Sequence, residues 1–153
     1  IKRGFDMEQK KDEKQRFQEN IFWLESRRKE RMKPKLLELG LTLGQGQPRI
    51  LKHLYEKEPR TQRELADVCH LDVTTMSRAL DRMTEMGLVE RRTNPECRRS
   101  FLICLTQKGR ETAKGVQESF REMEQALCEG FSEEELEALN RSLERMLSNL
   151  KKD

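Results

Sequence analysis

Apolar residues recur at three- and four-residue spacing along most of this chain and turn to alternation in one short stretch. Between residues 6 and 33, Phe17, Ile21 and Leu24 stand at helical spacing in a polar background, which predicts a long first helix. Pro34 suits the first turn of a separate short helix, KPKLLELG, closed by Gly40. Gly44 and Gly46 weaken the next pattern, so a further helix is expected to start near Gln47. Pro48 takes its first position, Ile50, Leu51, Leu54 and Tyr55 face inward, and Pro59 ends it.

The following segments carry sharper local signals. TQRELADVCH (61–70) opens with a capping box: the Thr61 hydroxyl can accept from the Glu64 amide while the Glu64 carboxylate reaches back to the Thr61 amide. DVTTMSRALDRMTEMG (72–87) has Asp72 as N-cap and Leu71 with Met76 as a hydrophobic staple. Its inner stripe is Met76, Ala79, Leu80 and Met83, and Gly87 followed by Leu88 predicts a Schellman ending. The outer face is then Thr74, Thr75, Ser77, Arg78, Asp81 and Arg82. LVERRT and SFLICL read as two strands around an Asn94–Pro95 turn, with Phe101, Ile103 and Leu105 alternating on one face. A helix from Thr106 to about Glu129 follows, with Ala113, Val116, Phe120, Met123 and Leu127 apolar. A last helix is capped by Ser132 with Glu135, and Phe131 and Leu136 form its staple.

Composition changes this picture in four ways. Charged residues make up 39% of the 153 and aromatics 5%, which favours long solvated helices over a β-sandwich. The net charge of +3 hides a split: residues 47–110 hold 13 Lys/Arg against 9 Asp/Glu, residues 111–153 hold 6 against 11. A basic middle points to a polyanionic partner. No apolar run approaches the roughly 20 residues of a membrane span, and the expectation is a cytoplasmic protein without a membrane role. Cys69, Cys97, Cys104 and Cys128 form no C-x-x-C pair, so they read as reduced thiols, with no structural zinc and no cofactor.

Helix, tight turn, helix, basic hairpin is the order of a winged helix-turn-helix. Its second helix can enter a DNA major groove, where Arg binds guanine bidentately and Thr or Ser reaches bases and phosphates. Arg91, Arg92, Arg98 and Arg99 around one turn can lie along the phosphate backbone or in the minor groove. Taken in order, LTLGQGQPRIL, TQRELADVCHLDVTTMSRALDRMTEMGLVERR and RRSFLICLTQKG resemble the MarR family of bacterial transcription regulators, most strongly from Leu41 to Gly109. The resemblance implies a homodimer with interlocked terminal helices, a palindromic operator on double-stranded DNA, and repression relieved by a small, often aromatic, molecule or by thiol oxidation. It gives DNA-contacting roles to Thr74, Thr75, Ser77, Arg78 and Arg82, to Thr61, Gln62 and Arg63 on the preceding helix, and to Arg98 and Arg99 in the wing. Two departures stand out. Cys97 occupies the position of the family's wing aspartate, which leaves the brace on the wing arginine to Glu96 if to anything. The GQGQP segment is also two residues longer than the family pattern.

The expected fold is therefore mainly α with a small β-hairpin wing. Residues 1–46 supply N-terminal helices contributing to dimerisation, 47–109 the winged helix-turn-helix, and 110–153 the C-terminal dimerisation helices. Cys97, beside Arg98 and Arg99, is a candidate redox thiol, against the reading of an exposed cysteine without a role. Phe22 and Trp23 are candidates to line an effector pocket near His53, against plain dimer packing. His53, Cys69 and His70 are not expected to converge on a metal ion. With those two histidines the only ones, and no nucleophile elbow or phosphate loop, an enzyme is not expected. The rival of another class is a winged helix used for protein–protein assembly without DNA binding.

Overall fold

A computed structural model describes residues 12–42 and 46–151 of the chain. Its elements run α1 (Glu13–Glu38), α2 (Gln47–Glu56), β1 (Arg60–Thr61), α3 (Gln62–Cys69), α4 (Val73–Glu85), β2 (Val89–Thr93), β3 (Phe101–Leu105), α5 (Gln107–Cys128) and α6 (Glu133–Asn149). Among the described residues, no helix is long and apolar enough to cross a membrane. The expected stretch of first helix before Asp12, and the added Gly44 loop, fall outside the described residues.

Pro34 does not divide two helices. It lies inside an unbroken α1, although an interior proline costs about 3 kcal/mol. Met32 and Leu36, one turn apart around it, are both buried. Burying two such side chains returns roughly 3–6 kcal/mol, enough to hold the helix on the core through the proline. Lys35 also pairs with Glu122 of α5. Gly40, at φ +74°, ends α1, with Leu41 N–H on the Leu36 carbonyl and both leucines buried.

The core forms where α2, α3, α4 and α5 meet the sheet. Ile50, Leu51, Leu54, Leu65, Met76, Leu80, Met83, Ile103, Ala113 and Val116 are sealed from solvent. The sheet has the order β1–β3–β2, antiparallel throughout, with Arg60 opposite Ile103 and Arg91 opposite Ile103 on the other side. β1 was not legible as a strand, because two residues hold no period. Phe101 departs from the expected alternation: Ile103 and Leu105 are buried but Phe101, at the start of the strand, is exposed.

A tight junction joins α4 to α5. The Schellman ending of α4 forms as expected, with Leu88 N–H on the Met83 carbonyl at 2.9 Å and Gly87 N–H on that of Thr84 at 3.0 Å. Thr106, the N-cap of α5, then donates its N–H to the Leu88 carbonyl and its hydroxyl to that of Gly87. Lys108 Nζ donates to the Met86 carbonyl at 2.9 Å. Gly109 packs against Leu88 so closely that an added Cβ would stand 1.8 Å from its carbonyl oxygen. The last turn of α4 and the first of α5 are thus one rigid joint.

Candidate nucleic-acid interface

Asp72 sets the start of α4. Its Oδ1 accepts the Thr75 N–H at 2.8 Å and its Oδ2 the Thr75 hydroxyl at 2.6 Å. Those bonds, the hydroxyl's first, hold the Asp72 carboxyl below its usual range. Thr75 is therefore occupied as part of the cap and half-buried, whereas Thr74, Arg78 and Arg82 share the exposed side at four-residue spacing. Ser77 sits half-buried at its flank.

At the start of α3 the predicted capping box is complete: Thr61 Oγ1 accepts from Glu64 N at 3.2 Å, and Glu64 Oε2 accepts from Thr61 N at 2.8 Å. Thr61 is thereby engaged within the helix, while Arg63 projects outward. Between this turn, the first residue of α4 and the wing opens a cleft of about 630 Å³, lined by Thr61, Gln62, Arg63, Val73, Arg99 and Phe101. Val73 and Phe101 were not expected at the site. Val73 keeps the three- and seven-residue spacing to Met76 and Leu80 of the buried stripe, so neither its exposure at the start of the helix nor that of Phe101 was readable in the sequence.

The wing divides its arginines. Arg91 Nη2 lies 2.7 Å from Asp81 Oδ1 of α4, with its side chain 24% exposed. Arg92 pairs with Glu90 on its own strand, which raises its pKa. Both were expected to meet DNA; in the DNA-free fold each is paired with a neighbouring acid, Asp81 from α4 and Glu90 from the same strand. Arg98 and Arg99 are exposed and form no ion pair with a described residue, and the same holds for Arg63 and Arg78.

Asn94 organises the tip. Its Oδ1 accepts from Glu96 N at 3.0 Å and its Nδ2 donates to Ser100 Oγ at 2.8 Å. Cys97 does not replace the missing aspartate as a brace: its backbone carbonyl accepts the Ser100 N–H at 3.1 Å and the Ser100 hydroxyl at 3.4 Å, and the neighbouring polar groups of Arg99 and Ser100 lower its thiol pKa. Glu96 makes no ion pair with a described residue. The other thiols behave differently, since burial pushes Cys69 up to about 11 and raises Cys104.

Phe22 and Trp23 meet edge to face, 5.6 Å between centroids, on the exposed side of α1. His53 instead lies 3.5 Å from Glu56, and burial lowers its pKa. A second cleft, about 240 Å³, opens between α1, α2 and α5, lined among others by Arg28, Lys29, Met32, Leu36, Arg49 and Phe120. None of the three residues expected at an effector pocket lines it. Arg28 Nε is buried there without a hydrogen-bond partner. Among the described residues no group of three or more His, Cys, Asp or Glu is placed to hold a metal ion.

The arrangement of a recognition helix beside an arginine-tipped wing matches known proteins. Residues 39–100 match the model of the MarR family. The fold superposes on the S. aureus MepR–DNA complex with a TM-score of 0.79 at 28% identity, covering 88% of this chain and 98% of that one. The chain belongs to the MarR family. As a MarR-family protein it is a DNA-binding transcriptional regulator. It is also similar to a cysteine-to-serine mutant of E. coli MarR complexed with operator DNA, at TM-score 0.72 and 25% identity over 84% of this chain and 91% of that one. The transcriptional repressor IacR of Pseudomonas putida is 30% identical over 102 residues, 67% of this chain and 61% of the repressor.

Proposed function

We propose that the protein is a homodimeric repressor of a pseudo-palindromic operator whose half-sites lie about one helical turn apart, roughly 10 base pairs. Residues 47–109 bind the DNA and the flanking segments, 1–46 and 110–153, form the dimer. Thr74, Ser77, Arg78 and Arg82 face base edges, Thr61, Gln62 and Arg63 flank the backbone, and Arg98 and Arg99 follow the adjacent groove. The carrying observation is that Arg63, Arg78, Arg98 and Arg99 are exposed around α4 and the wing without ion pairs to described residues. Guanidiniums left without protein carboxylates are available to phosphates and guanine edges. Arg91 and Arg92 act from behind, as supports of the hairpin.

Dimerisation is supported at both ends of the described chain. α6 has no buried residue and exposes Leu139, Met146, Leu147 and Leu150, while α1 exposes Phe17, Ile21, Phe22, Trp23 and Leu24. Amphipathic helices with dry faces left in water are covered by a partner. Release by a small aromatic acid is supported by the cleft over Met32, Leu36 and Phe120. There Arg49 supplies a cation with no ion pair to a described residue, while Arg28 and Lys29 pair with Glu25 of the same lining and Arg28 Nε is buried without a hydrogen-bond partner. The lowered pKa of Cys97 supports oxidation as a second route.

Fluorescence anisotropy with a library-selected duplex and a scrambled control, across a salt series, tests the reading. Arg78→Ala should relax base preference at one position per half-site by about 1–3 kcal/mol. Arg99→Ala should weaken all duplexes alike and reduce the salt slope by about one. Binding that prefers no duplex and is indifferent to salt would instead favour a protein-assembly module.

A further inference from the structure

Val73 is the first residue of the recognition helix, and it is 67% exposed. The stripe that buries α4 is Met76, Ala79, Leu80 and Met83, and Val73 takes no part in it. It forms one wall of the cleft whose other walls carry Arg63, Arg99 and the 51% exposed ring of Phe101. Two guanidiniums with no ion pair to a described residue thus flank an apolar surface. A carboxylate ligand or an apolar peptide would each match half of this lining. A DNA strand matches both halves, since it presents phosphates along one edge and, at thymine, a methyl group in the major groove.

We propose that Val73 is a specificity-determining residue that reads the 5-methyl group of a thymine in each half-site, while Arg63 and Arg99 hold the phosphates of the strand lying in the cleft. The proposal rests on the DNA-binding reading above and adds to it a contact that charge alone does not provide. The N-terminal turn of a recognition helix is the part that reaches base edges. The side chain of Val73 offers two methyl groups there and no hydrogen-bonding atom, so thymine is the base it can favour.

The test replaces thymines of the selected duplex one at a time by deoxyuridine, which removes the methyl and keeps every hydrogen bond. Anisotropy titrations then compare wild type, Val73→Ala and Val73→Ser. At an exposed helix position neither substitution disturbs the core, and circular dichroism checks the fold. One symmetric pair of thymines should weaken wild type about fourfold per half-site when demethylated, the value of one buried methyl-sized group. Both variants should bind the thymine and deoxyuridine duplexes alike. The proposal is overturned if wild type binds every demethylated duplex as tightly as the parent, or if the variants keep the wild-type ratio. A protein that selects no duplex at all would remove the DNA reading and this one together, a result distinct from selective binding without methyl discrimination.

Discussion

Gly109→Ala sets two physical effects against each other. Gly109 lies in the first turn of α5, where helix propensity alone favours alanine by about 1 kcal/mol. The new Cβ, however, would lie 1.8 Å from the Leu88 carbonyl oxygen and 2.8 Å from the Leu88 carbonyl carbon. A carbon and an oxygen settle at roughly 3.3 Å or more, so backbone must separate from backbone by over an ångström. That movement breaks the two bonds that cross the joint, from the Thr106 N–H to the Leu88 carbonyl and from the Thr106 hydroxyl to that of Gly87, each worth about 1 kcal/mol. It also dislodges the buried Leu88, at about 1–3 kcal/mol for a strained core. The net loss is about 3 kcal/mol, a fall in Tm of about 6–12 °C for a chain of this size. Thermal unfolding followed by circular dichroism at fixed protomer concentration measures it. Gly115→Ala is the control, because its Cβ would meet only the flexible end of Leu39, and it should change stability by no more than about 1 kcal/mol. An unchanged or raised Tm for Gly109→Ala would refute the rigid joint between α4 and α5.

Other outcomes test the division of labour at the site. Arg91→Ala should leave the salt slope of DNA binding closer to wild type than Arg99→Ala does, and cost stability about 0.2–1 kcal/mol through loss of the Asp81 pair. The reversed pair, Asp81→Arg with Arg91→Asp, should recover part of that stability, and a full loss of slope in Arg91→Ala would return this residue to the phosphates. His53 gives a pH dependence. Burial holds its pKa below the usual 6.5, against the pull of Glu56 and with the push of Lys52, Arg60 and Arg49. The unfolded chain therefore takes up the proton first, and stability should fall as pH drops from about 7 through the folded-state value. The urea midpoint should drop less between neutral and mildly acidic pH in His53→Gln than in wild type, and an equal drop in the two proteins would contradict the burial effect.

The amino-acid sequence alone determined the features built within a few residues. The Thr61–Glu64 and Ser132–Glu135 capping boxes, the Asp72 cap and the Gly87 ending all form as their spacing predicts. Their hydrogen bonds close over three to six residues, so no distant partner can overrule them. With the order of elements they placed the recognition helix and the wing. What only the tertiary structure decided involves partners far apart in sequence. Pro34 stays inside α1 because Met32 and Leu36 are buried in the core. Arg60 and Thr61 become a strand because Ile103 and Leu102 lie opposite. Four similar arginines on one hairpin acquire two fates, because the fold brings Asp81 to Arg91 and strand pleating sets Glu90 beside Arg92, while no acid among the described residues pairs with Arg98 or Arg99. Val73 and Phe101 line one cleft for the same reason. Local hydrogen bonds are written in spacing, whereas charge neutralisation and burial depend on which surfaces packing brings together.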